Sequence, residues 1–151
     1  MAMPAVVVWG ITVSPAGSAP VATDDGFAAT EEVGVAGNLI TGDNGNGVDS
    51  DADAGDVLRV TAVNGVAANV GVQITLPSGA RLSVGANGAM GWNPNGAFDA
   101  LKAGEPGQDS FTYTLSDGKG GFDTATVTID ITGLNDAPDA RNDTIGVFED
   151  A

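Results

Sequence analysis

The chain has 151 residues, with 20 Asp and Glu against 5 Lys and Arg, a formal net charge of −15. That balance argues against nucleic acid as a partner. The absence of Cys and His removes disulfides, thiolate nucleophiles, Cys- or His-based zinc sites and the commonest general base.

Along the chain, residues 1–11 are apolar but lack a basic leader and are too short to cross a bilayer. Neither a cleavable signal nor membrane insertion is expected, and the chain reads as an internal piece of a longer exported protein. Residues 6–13, mostly β-branched and set between Pro4 and Pro15, predict a strand, and 14–20 predict a linker. From Ala19 the text aligns without a gap to the text from Ala137, an offset of 118 residues that pairs Pro20 with Pro138, Asp25 with Asp143 and Glu31 with Glu149. Such repetition predicts tandem domains. Residues 1–18 would be the tail strand of a preceding unit or a leader strand, and 19–136 one repeat. Residues 137–151 would be the linker and first strand of a following repeat. The alternative is coincidence in an Ala-, Pro- and Asp-rich text.

Within the repeat, alternation at 58–62, the run 72–76, and the pair 81–85 and 89–93 around Asn87-Gly88 predict strands, the last pair as a two-residue hairpin. Residues 97–103 are the one stretch read as a helical turn. Residues 110–116 and 122–132 form the clearest hairpin, with Phe111, Tyr113, Leu115, Val127, Ile129 and Ile131 predicted as core and the threonines facing water. Short strands at this spacing, with turns rich in Asn-Gly and Asp-Gly and a 42% hydrophobic content, predict an all-β antiparallel β-sandwich.

The acidic residues concentrate in turns. Asp49, Asp51 and Asp53 recur at every second position, followed by Asp56. On an extended chain alternate side chains point the same way, so these carboxylates would converge and require a cation between them. An all-oxygen set in a flexible loop suits Ca²⁺. The spacing is not that of an EF-hand: counted from Asp49, the required Gly falls on Ala54 and the bidentate Glu on Val60. The competing reading is a solvated loop whose Asp and Asn cap their own backbone. A second candidate metal set combines Asp25, Glu31, Asn135 and Asp136 at the two ends of the unit; its alternative is a charged strand edge. Asp109, Asp117 and Asp123 read as turn residues. Trp9, Trp92 and Tyr113 read as core packing more than as a sugar-stacking platform. Nothing places two carboxylates across a cleft, so the chain is not read as an enzyme.

Leu76-Pro77-Ser78-Gly79-Ala80, Asn87-Gly88, Trp92-Asn93-Pro94-Asn95-Gly96-Ala97-Phe98 and Asp109-Ser110-Phe111-Thr112-Tyr113-Thr114-Leu115-Ser116-Asp117-Gly118 follow one another, closing with Gly133-Leu134-Asn135-Asp136-Ala137-Pro138. Together these runs resemble the VCBS repeat, a bacterial cadherin-like or immunoglobulin-like unit. Trp92-Asn93 stands where Tyr-Asp is expected, and only Asn135-Asp136 matches the cadherin Asp-x-Asn-Asp-Asn linker. The resemblance implies a secreted, cell-surface extender module of RTX-type adhesins, tied to calcium, cell adhesion and biofilm. Its partners would be neighbouring repeats of the same chain and cell-surface glycans or proteins. The rival function is a carbohydrate-binding surface module.

Overall fold

The computed structural model describes residues 17–134. The strand expected at 6–13, the repeat copy at 137–151, and Trp9, Asn135 and Asp136 lie outside the described residues.

Eight strands follow one another: β1 (Asp25–Thr30), β2 (Val35–Asn38), β3 (Arg59–Val63), β4 (Gln73–Thr75), β5 (Arg81–Val84), β6 (Ala89–Asn93), β7 (Pro106–Ser116) and β8 (Phe122–Thr132). They form two four-stranded sheets, ordered β1-β8-β7-β3 and β2-β6-β5-β4. This is the expected β-sandwich. Every pairing between these strands is antiparallel except that of β1 with β8, which runs parallel from Asp25 opposite Val127 to Thr30 opposite Thr132. The β1 strand then crosses to the other sheet as β2.

The core comes from the predicted hairpin. β7 and β8 pair over eleven residues each, from Pro106 opposite Thr132 to Ser116 opposite Phe122. Their alternation buries Phe111, Tyr113, Leu115, Val127, Ile129 and Ile131 as expected, and Ala125 with them. Leu82, Val84, Met90 and Trp92 answer from the second sheet. Each large side chain so buried contributes about 1.5–3 kcal/mol.

Strands β1 and β2, with the sequences DGFAAT and VAGN, carry too little β-branched content to be seen in the text. Tertiary pairing makes them, and Gly37 leaves room for the Phe27 ring, which a Cβ there would meet at 2.8 Å. Residues 97–103 are not helical. They form successive turns closed by Ala97 N–H to Pro94 O (2.8 Å) and Leu101 N–H to Phe98 O (3.0 Å). The run lies between Gly96 and Gly104, too short to propagate a helix, while Phe98 and Leu101 pack on the core. The described residues contain only a 3₁₀ turn, Ala67–Asn69. The Asn87-Gly88 hairpin closes one residue wider than expected, with Gly85 N–H donating to Ala89 O at 2.8 Å and Gly88 at φ +88°. No helix among the described residues is long and apolar enough to cross a membrane.

Two poles result. The upper pole holds the β7–β8 loop (117–121), the approach to β3, and residues 17–22, tied down by Ala22 N–H to the Asp123 carboxylate (2.8 Å). The lower pole holds Glu31, whose N–H reaches Thr132 O (3.1 Å), and Gly133, whose N–H reaches Glu105 O (2.8 Å). Because β1 runs parallel to β8, residues 17 and 134 lie at opposite poles.

Candidate metal centre

Residues 49–56 do not form the extended strand that would align Asp49, Asp51 and Asp53. Ser50 makes a single bridge to Val21, and the chain then turns at 52–55, with Gly55 at φ +88°. The three carboxylates therefore part. Asp49 turns inward and is 6% exposed. Its Oδ1 accepts from Thr23 N–H (2.8 Å) and the Thr23 hydroxyl (3.2 Å), and its Oδ2 from the Tyr113 hydroxyl (2.8 Å). Asp53 accepts the Ser18 N–H at 2.6 Å and so anchors the start of the described chain.

Asp51 and Asp56 meet Asp117 instead, with one carboxylate oxygen from each lying within 4.8 Å of the others. Asp51 Oδ1 accepts the Asp53 N–H (2.7 Å), closing an Asx turn that aims the carboxylate at this cluster. Asp117 starts the β7–β8 loop, where its Oδ1 accepts the N–H groups of Lys119 (2.7 Å) and Gly121 (3.0 Å). The Lys119 N–H is the largest influence holding the Asp117 carboxyl below its ordinary range. A Cβ on Gly121 would fall 2.4 Å from Asp117 Oδ2, so only glycine lets the loop close over it.

The cluster is under-supplied with donors. Asp51 Oδ2 and Asp56 Oδ2 are buried and meet none. The Asp56 side chain is fully buried, and its Oδ1 pairs with the Lys119 ammonium. That pairing, reinforced by the charges of Asp56, Asp53 and Asp117, raises the Lys119 pKa. One ammonium against three carboxylates leaves the group anionic. Unpaired buried carboxylate oxygens with no nitrogen or sulfur donor suit a hard divalent cation such as Ca²⁺. Asp117, read from sequence as a turn residue, is both a turn residue and a member of the cluster. The only signal for it was its Asp-Gly loop, and more than sixty residues of chain hide its closeness to Asp51 and Asp56.

Asp25 and Glu31 do not come together; they stand at opposite ends of β1. Asp25, 3% exposed, accepts from the Asn44 amide (2.8 Å), and its Oδ2 has no donor. Burial, opposed by the Asn44 bond, pushes its carboxyl up to about 6. Burial also raises Asp49, and burial together with the Asp49 hydrogen bond raises the Tyr113 phenol. Glu31, 1% exposed, accepts the Leu134 N–H, while its Oε2 is buried without a donor. It lines a lower-pole depression of about 520 Å³ with Glu32, Asn93, Asn95 and Asp99.

Asp109 and Asp123 are strand residues, not turn residues. Asp109 Oδ2 accepts from Trp92 Nε1 (3.0 Å) and the Ser78 hydroxyl (2.7 Å). Trp92 and Tyr113 are core residues, 2% and 0% exposed, and offer no face for stacking a sugar.

A sequence model of the bacterial cadherin-like domain matches residues 17–133. No curated protein matches the chain.

Proposed function

The chain belongs to the bacterial cadherin-like domain family, and from that premise we propose that it is a non-catalytic, calcium-stabilised spacer in an array of similar units on an exported, surface-associated protein. The observation that carries the calcium reading is the pair of buried, donor-less oxygens on Asp51 and Asp56 beside Asp117. These three residues would hold the ion. Bound there, calcium supplies the positive charge that lets the carboxylates share one place.

The chain's own residues do the rest. Asp117 is oriented by the Lys119 and Gly121 amides, and Asp53 ties the arriving chain at Ser18 to the same loop. At the lower pole, Glu31 grips Leu134 and is the candidate ligand there; Asn135 and Asp136, the other members of that set, lie outside the described residues. Termini of the described chain at opposite poles suit a rod of linked units, with residues 19–136 as one repeat. Domains of this family often bind calcium, are generally non-catalytic and are typically carried on exported proteins. Assignment to the VCBS repeat of RTX-type adhesins, with its link to biofilm, is supported by the motifs between residues 76 and 138. A carbohydrate-binding role loses support from the burial of Trp92 and Tyr113.

Calorimetric melting in millimolar calcium and in chelator tests the reading. The midpoint rises by several degrees in calcium, because a ligand of the folded state alone stabilises it by mass action. The Asp51→Asn/Asp56→Asn double variant does not respond. A wild-type midpoint indifferent to calcium refutes the structural ion.

A further inference from the structure

We infer that the Lys119 ammonium is a tethered counter-ion of the Asp51, Asp56 and Asp117 cluster, competing with the divalent cation for Asp56 and so setting both the ion affinity and the ion-free stability of the site. The inference rests on the calcium reading above and deepens it.

Lys119 forms the one salt bridge among the described residues, and its partner is Asp56, whose side chain is fully buried. Its own side chain is 56% exposed, so the ammonium closes the cluster from the solvent side. The residue sits at the centre of a five-residue loop, between Gly118 at φ +77° and Gly120 at φ +94°. No heavy atom lies within 4 Å of where a Cβ on either glycine would be, so the loop on both sides of Lys119 faces open space. Asp117, at the base of the loop, is meanwhile fixed by two backbone amides. One of those amides is that of Lys119, so its backbone is anchored with the carboxylates, while its half-exposed side chain has room to swing out. Even with the ammonium in place, Asp51 Oδ2 and Asp56 Oδ2 have no donor. A monovalent point charge with a single contact leaves room in the site for a competitor of higher charge.

Titration calorimetry with calcium chloride at low ionic strength, on the same chain, tests this. Lys119→Met binds calcium about tenfold tighter than wild type, and the gain shrinks as salt is added. Lys119→Gln serves as a second neutral variant, and Lys119→Arg stays near wild type. In chelator the neutral variants melt below wild type; in saturating calcium the difference closes. Lys102→Met, an equal charge change near the lower pole, leaves the affinity unchanged. Unchanged or weaker binding by both neutral Lys119 variants overturns the competition, as does an equal gain from Lys102→Met. If wild type and the neutral variants all give no calcium heat, the metal reading itself fails and takes this inference with it.

Discussion

Two groups of carboxylates, both reached from the loop between β2 and β3, meet opposite fates. Asp49 is swallowed by the sandwich, where Thr23 and Tyr113 supply donors to both of its oxygens, and Asp25 lies beside it in the same buried region. Asp51 and Asp56, a few residues on, meet Asp117 at the upper pole with two oxygens left without donors. In the first group hydrogen bonds reach both oxygens of Asp49 and one of Asp25, and burial raises both carboxyls. The second group has two donor-less oxygens and one lysine for company. The same side chain thus becomes scaffold or candidate ligand according to whether protein donors reach it before an ion can.

The largest effect that sharpens this contrast concerns Asp25. Its carboxyl titrates near 6 in the folded protein against an ordinary value of 3.8. The folded state therefore holds the proton more tightly. The resulting stabilisation is fully present below pH 3.8 and is lost as pH rises through about 6, a swing of up to about 3 kcal/mol. Asp25→Asn flattens that decline and is the more stable protein at neutral pH. Urea titrations in chelator across this range measure it; a wild type that does not weaken between these values contradicts the assignment.

Next is Tyr113→Phe, which strips Asp49 Oδ2 of its hydroxyl donor and leaves a buried acceptor bare. The expected cost is about 2 kcal/mol, read by chemical denaturation, while the calcium-induced rise in melting midpoint persists. Loss of the calcium response in this variant would join the two groups into one site and erase the distinction.

The smallest effect falls at the cluster and on the Ala19 backbone beside it. Gly121→Ala drives a methyl against Asp117 Oδ2, costs about 1 kcal/mol and weakens calcium binding severalfold. Calorimetry of this variant beside Tyr113→Phe gives opposite signatures: one loses ion affinity with little stability, the other stability with little ion affinity.

Much of this architecture is legible in the residues. Period-two alternation in 110–116 and 122–132 places six core side chains without ambiguity, because a register slip of one would put all of them in water. Strands β5 and β6 are legible from their alternation about the Asn87-Gly88 turn. Strands β1 and β2 are not, since their Ala and Gly have no strong preference of their own and are recruited by β8 and β6. Counting every second aspartate from 49 to 53 picks out this acidic loop but not its geometry. The loop breaks its extended course after Ser50, and its backbone turns decide where each carboxylate points.

The amino-acid sequence by itself determined the class of fold, the identity of the main core and the concentration of charge in turns, since these depend on local period and composition. Only the tertiary structure decided that Asp49 is held by donors in the core, that Asp117 joins Asp51 and Asp56, and that Lys119 pairs with Asp56. Those roles depend on which donors arrive from chain tens of residues away, and no local pattern encodes that distance.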